Sequence, residues 1–187
     1  STTGGGSEGR RTNISLAVKS CNGVILLPGE TFSYNDTLGE RTADKGYQPA
    51  GAYSDGEVVE QLGGGICQVS STLFAAVLHT DLEIVTRANH SMPVSYLPMG
   101  MDATVSWGGP EFKFKNNFSY PIKISASYSG GTINFKILGA ASDKKKIEVE
   151  VKKTGEMSAE TYRKYYDENG NVTSTKRVAR SNYKPHS

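Results

Sequence analysis

From Phe112 onward the apolar residues fall on every second position. Phe112 and Phe114 alternate with Lys113 and Lys115. The same beat recurs in Ile122/Ile124/Ala126, Ile133/Phe135/Ile137 and Ile147/Val149/Val151. Period two is the signature of a strand with one buried face. Ser129-Gly130-Gly131 separates two of these runs and reads as a hairpin turn. Asn169-Gly170 reads as another, joining a tyrosine-rich strand (Tyr162, Tyr165, Tyr166) to residues 172–178. Such a chain has to build an antiparallel sheet from its C-terminal half. Helical period appears only earlier. Ile14, Ala17, Val18 and Cys21 predict a helix over 13–21, capped by Thr12 or Asn13 and stopped by Asn22-Gly23. Ile66, Val69, Leu73, Ala76 and Val77 predict a second, from about Cys67 to His79. The expected class is α+β: a helix carrying a cysteine, packed on an antiparallel β-sheet, with a C-terminal β-hairpin extension.

Between these elements the pattern is weaker. Short strands are expected at 24–27, 82–85, 87–91, 94–97 and 103–107, and residues 30–60 read as loop with short strands. The start, rich in Gly and small polar residues, predicts a flexible lead-in over 1–12. A main domain over 13–140 and a β-rich extension over 141–187 follow. The 187 residues suffice for one ordinary core. With 21 basic against 19 acidic residues, net charge +2, there is no electrostatic case for nucleic acid as partner. No apolar run reaches the roughly 20 residues of a membrane span, and no signal peptide is present, so the chain reads as an excised soluble piece. Two cysteines and three scattered histidines exclude a disulfide scaffold and a finger-type zinc site. No metal or cofactor is called for.

The chemistry concentrates in Gln61-Leu62-Gly63-Gly64-Gly65-Ile66-Cys67-Gln68. A cysteine stands where a glycine run hands over to a helix. Unpaired N–H groups and the positive end of the helix dipole meet there, which favours thiolate over thiol. Gly64 and Gly65 let backbone approach a ligand with no Cβ between. The Cys67 N–H can bind an oxyanion, Gln61 can add a second donor, and Gln68 belongs to the same candidate surface. The plainer alternative is a small buried cysteine at a tight turn.

A thiol nucleophile needs a base. His79 sits about twelve residues along the same helix, roughly 18 Å from Cys67, too far for direct contact; it suits the last carbonyls of that helix. His186 is in the tail. His90, in Arg87-Ala88-Asn89-His90-Ser91, is left by elimination, against the alternative of a histidine bonded to backbone. Asp102 opens the next expected strand and reads equally as the acid that orients His90 or as a turn residue. The order Cys, His, Asp occurs in papain-like and transglutaminase-like enzymes. Arg87 suits a substrate carboxylate or an internal ion pair, and Ser91 suits His90, substrate or its own turn. Cys21, on the apolar stripe of the first helix, belongs in the core. Tyr47, Tyr53, Tyr96 and Trp107 suit a groove or the core.

Taken together, these stretches resemble the VanW family. The resemblance rests on Asn22-Gly23-Val24-Ile25, on 28–33 (Pro-Gly-Glu-Thr-Phe-Ser), on Gly46-Tyr47 and on 63–73 around Cys67. It continues through 87–91, 93–96, 100–105 and 114–117, over about residues 13–140. It implies a Gram-positive cell-envelope protein, acting outside the membrane on peptidoglycan stem peptides, its parent often anchored by an N-terminal helix. Some clostridial members are similar and are linked to L,D-transpeptidase activity, which forms 3-3 cross-links. They lack the usual Ser-His-Gly-Cys motif of L,D-transpeptidases, as does this chain, so by analogy that activity would rest on Cys67. A peptidoglycan amidase or endopeptidase using the same thiol, and a non-catalytic wall-binding module, are the alternatives.

Overall fold

The chain begins with strand β1 (Thr2–Thr3) and helix α1 (Glu8–Cys21), not with a free lead-in. The computed structural model describes residues 1–54 and 57–185. Thr2 and Thr3 pair with Ile133 and Thr132, and the Gly4 N–H donates to the Gly131 carbonyl at 2.6 Å. The Ser7 hydroxyl accepts the Arg10 N–H and caps α1 one and a half turns before the expected start. The expected flexible stretch over 1–12 is therefore corrected. An open sheet edge takes up its first residues, and a serine cap fixes the rest despite the glycines.

The remaining elements are β2 (Ile25–Leu26), β3 (Thr31–Ser33), α2 (Tyr34–Leu38), β4 (Pro49–Ser54), β5 (Glu57–Leu62) and α3 (Ile66–Leu78). They continue with β6 (Glu83–Thr86), β7 (Lys113–Lys115), β8 (Ile122–Ser129), β9 (Thr132–Leu138), β10 (Ile147–Gly155), β11 (Ser158–Tyr166) and β12 (Val172–Asn182). The class is α+β. Among the described residues four antiparallel sheets form, ordered β1-β9-β8-β2, β3-β7-β6, β10-β11-β12 and β4-β5. Gly130 and Gly131 take positive φ (57° and 78°) in the β8–β9 hairpin, the geometry a two-residue hairpin turn demands. No helix among the described residues is long and apolar enough to cross a membrane.

Helix α3 is the centre. Only Cys67 and Ala76 along it are not fully buried, so it behaves as a core helix and not as a surface one. Ile66, Val69, Leu73, Phe74, Val77 and Leu78 join Ile14, Ala17 and Val18 of α1 and Ile122, Ile124, Ile133 and Phe135 of the sheet in one apolar cluster. Its buried hydroxyls dock a neighbouring segment. Ser70 and Ser71 both donate to the Ala103 carbonyl (2.7 and 3.1 Å), and the Ala103 N–H donates back to Ser71. This is why 87–91, 94–97 and 103–107, expected as strands, are irregular. In 87–91 and 103–107 the polar backbone is met by side chains and by irregular backbone bonds such as Thr104 N–H to the Ala88 carbonyl at 2.8 Å and Ser106 N–H to the Pro110 carbonyl at 2.9 Å.

The C-terminal segment is a three-stranded sheet, not a hairpin, and it is structurally committed. Burial alternates along β11, with Ala159, Thr161, Arg163 and Tyr165 facing in. Arg163 donates to the carbonyls of Val77, Leu78 and Leu82, each at 2.9 Å, closing the C-terminal end of α3. Thr161 donates to the Gly100 carbonyl.

Candidate active site

Cys67 sits in the first turn of α3. Gly65, at φ 105°, is the cap residue and offers no side chain to the helix N–H groups. The Ile66 and Gln68 N–H groups turn back to Gly63 and Gly65, while no acceptor among the described residues meets the Cys67 N–H. The sulfur is partly buried. Sγ lies 3.3 Å from the Val105 carbonyl oxygen and 3.7 Å from the Thr104 hydroxyl.

His90 stands at the sulfur. Its Nδ1 is 2.7 Å from an Asp102 carboxylate oxygen, and its backbone N–H donates to that same oxygen at 2.8 Å. The ring is thus gripped from two sides, which leaves Nε2 as the nitrogen not engaged by Asp102, and the imidazole beside Cys67 acts on the sulfur through its charge. His90 is 4% exposed and Asp102 is 0% exposed. The second Asp102 oxygen accepts the Tyr183 hydroxyl at 2.5 Å and lies 3.4 Å from the Arg87 guanidinium. Arg87 also donates to the Asp102 carbonyl and to Ser181, and its guanidinium stacks 5.0 Å over the Phe74 ring.

These contacts set the charges. Burial pushes the Cys67 thiol up, but His90 together with the Val105 and Thr104 contacts outweighs it, and its pKa falls below the ordinary 9.0. Burial pulls His90 down, but the bonds to Asp102 and Cys67 lift it to about 9. Burial raises Asp102, and the two His90 donors with the Tyr183 hydroxyl hold it below 3.8. Both shifts act in favour of a thiolate–imidazolium pair over the neutral thiol and imidazole. Cys21, buried in the core without such partners, is pushed up to about 12.

Cys67 and His90 open onto a cleft of about 930 Å³. Gln61, Leu62 and Val58 of β5 line one wall; Tyr96, Thr104 and Trp107 line another. Gly64 and Gly65 border it, yet their lack of a Cβ serves the protein itself. A Cβ on Gly64 would strike the Ala50 carbonyl oxygen of β4, and one on Gly65 would press on Arg10 and Ile14 of α1. Gln68 is also claimed internally. Its carbonyl accepts Arg10 at 2.6 Å and its amide donates to Thr2 and Thr3, so it cannot serve as an oxyanion donor. Arg87 is buried under Asp102 and cannot meet a substrate carboxylate. Ser91 is exposed and off the cleft; its carbonyl accepts the Lys184 N–H. His79 bonds the Ala75 carbonyl at the end of α3. Tyr47 is in the core, whereas Tyr96 and Trp107 face the cleft. His186 and the side chain of Tyr53 lie outside the described residues. Among the described residues, no cluster of three His, Cys, Asp or Glu side chains is placed to hold a metal.

The residues missed by sequence reasoning are Tyr183 and Ser181, which secure Asp102, and Arg10 and Arg41 on the cleft wall. Tyr183 lies 81 positions from Asp102, beyond the reach of any local pattern.

A family model described as VanW like protein matches residues 9–138, which include Cys67, His90 and Asp102. The chain belongs to the VanW family. It is 50% identical over 127 residues to the uncharacterized protein YoaR of Bacillus subtilis (strain 168), covering 68% of this chain and 42% of that protein. It is 36% identical over 115 residues to the vancomycin B-type resistance protein VanW of Enterococcus faecalis, covering 59% of this chain and 42% of that protein. The chain therefore spans about two fifths of each curated relative. No solved structure matches it.

Proposed function

We propose that this VanW domain is a cysteine acyltransferase of the cell wall, an L,D-transpeptidase that forms 3-3 cross-links between peptidoglycan stem peptides. The observation that carries the reading is the Cys67–His90–Asp102 chain of contacts at the mouth of the cleft. Vancomycin acts on peptidoglycan precursors, and a relative named for resistance to it accords with a wall substrate and a place on the outer face of the envelope. The likeness to papain-like and transglutaminase-like enzymes lies in the order and roles of three groups.

In this mechanism the Cys67 thiolate attacks the carbonyl of residue three of a donor stem. Negative charge collects on the carbonyl oxygen, where the unpaired Cys67 N–H and the Gln61 amide receive it. As the C–N bond breaks, the His90 imidazolium gives its proton to the departing D-Ala amine, leaving a thioester. The side-chain amine of a second stem then attacks the thioester, His90 takes its proton, and the C–S bond breaks. Asp102 stays ionised throughout and holds the ring.

The test is incubation of the purified chain with a disaccharide-tetrapeptide, with products read by mass. Cross-linked dimers lacking one D-Ala are expected, and none from Cys67→Ala. Loss of D-Ala without dimers would make the enzyme a hydrolase using the same thiol. Dimers formed at the same rate by Cys67→Ala would remove Cys67 from the chemistry.

A further inference from the structure

Two guanidinium groups straddle the glycine turn that leads to Cys67, and neither has an acidic partner. Arg41 packs its Cβ and Cγ against Gly63, and Arg10 packs its Cγ against Gly65. Both line the Cys67 cleft. Arg41 is only 8% exposed. It is held by neutral groups, the Gly39 carbonyl at 3.0 Å, the Asn35 side-chain oxygen at 2.5 Å and the Tyr34 ring, whose centroid lies 6.0 Å from the guanidinium carbon. Its Nε meets no partner among the described residues. Arg10 is likewise held by a neutral group, the Gln68 carbonyl. Neither forms an ion pair with a carboxylate among the described residues. Glu40 is the carboxylate among the cleft-lining residues, and it is exposed and makes no such pair.

A buried cation with only neutral acceptors is costly unless an anion completes it. The cost here is sustained by deliberate rigidity. Asn35 is itself pinned, its side-chain amide donating to the Ser106 and Pro110 carbonyls and its backbone N–H donating to the Glu111 carboxylate. Nε is sealed from solvent, so what Arg41 can offer the cleft is the second N–H of Nη1 and of Nη2, and a planar guanidinium fixed in this way is suited to a carboxylate.

We propose that Arg41, with Arg10, forms a carboxylate-binding subsite of the Cys67 cleft, so that the acyl donor is a peptide bearing a free carboxylate within about one residue of the bond attacked. This rests on Cys67 being the nucleophile, and it adds the feature that selects the donor. Two sources share the chemistry: the terminal carboxylate of the leaving residue, and a side-chain carboxylate on the acyl residue.

The first probe is alkylation of Cys67 by iodoacetate and by iodoacetamide, which differ only in charge. Each forms a C–S bond to the thiolate and expels iodide. The ratio of the two rates cancels any general change in thiol reactivity. The ratio in the intact chain should exceed that in Arg41→Gln by roughly 10- to 100-fold, with a smaller fall in Arg10→Gln. If Arg41→Gln does not fold, Arg41→Lys keeps the charge without the fork, and the ratio must fall in it and in Arg10→Gln. An equal ratio in all variants overturns the subsite. If Cys67 reacts with neither reagent, the nucleophile reading fails by itself, and calorimetry on Cys67→Ser protein decides the subsite. N-acetyl-alanyl-alanine, its C-terminal amide and N-acetyl-glutamyl-alaninamide are the three ligands. Tighter binding of the first assigns the terminal carboxylate, and of the third the side-chain carboxylate. Equal binding of all three overturns the proposal.

Discussion

Replacing His90 by glutamine isolates what the imidazole does for the sulfur. In the intact site, burial opposes the Cys67 thiolate and His90 overrides it. Without the ring, only the Val105 and Thr104 contacts are left to oppose burial. Cys21 shows the scale of that effect within the same molecule: from 9.0 to about 12. A rise of that size cuts the thiolate fraction at pH 7 by about a thousandfold relative to an ordinary thiol. A more basic thiolate is a better nucleophile, with a Brønsted slope of about 0.4–0.5, which returns roughly twentyfold. The net expectation for iodoacetamide at pH 7 is a Cys67 alkylation rate that falls below that of the intact site toward a limit roughly 50-fold under an ordinary thiol. The rate should recover as pH is raised past 10. Mass spectrometry of the peptide containing Cys67 reads it, with the core residue Cys21 as the internal measure of intact folding. His90→Gln protein that is folded and alkylates at the unmodified rate at pH 7 would refute the ion-pair argument.

Two further outcomes follow from the same contacts. His90, raised to about 9, taken alone stabilises the fold below its ordinary 6.5, and that stability is lost as pH rises through about 9; Cys67, lowered from 9.0, taken alone stabilises above its ordinary value, and that is lost as pH falls through its folded value. The proton passes from one to the other, so these slopes oppose, and the urea midpoint of the intact chain should be nearly flat from pH 6.5 to 8.5. A midpoint that changes steeply across that interval would contradict the paired shifts. Tyr183→Phe removes a hydroxyl donated to a buried carboxylate, which should cost about 1.5–3 kcal/mol in urea unfolding; a change under about 0.5 kcal/mol would show that Asp102 does not depend on it.

Local pattern carried the reading where the determinant was local. The period-two runs from Phe112 to Val151 became β7 to β10, and the stripe through Ile66, Val69 and Leu73 became α3. The glycine run before Cys67 was visible, but its reason was not: β4 and α1 crowd it, and neither can be seen from residues 63–65. Gln68 and Arg87 have the right chemistry for substrate and are spent on Arg10 and Asp102 instead. Polar side chains near a candidate nucleophile are indistinguishable in sequence whether they face the cleft or the core. The short helix α2 also escaped, because Tyr34 and Leu38 give a single turn too few positions for a period to show.

The acid of the site joins two parts of the chain that the sequence presents as separate. Cys67, His90 and Asp102 all lie within residues 9–138. A buried carboxylate with one imidazole partner would be undersatisfied, since an ionised Asp offers about four acceptor positions. His90 fills two of them at one oxygen. The other oxygen takes the Tyr183 hydroxyl, and the same hydroxyl accepts the Gly100 N–H at 2.8 Å, fixing the turn just before Asp102. Arg87 is steered by Ser181. Both come from the end of β12 and the residue after it, so the third sheet is held to the domain by the very groups that keep Asp102 charged. An ionised Asp102 is what raises His90, and a raised His90 is what lowers Cys67. The chemistry at the head of α3 is in this way supported by strands about a hundred residues further along the chain.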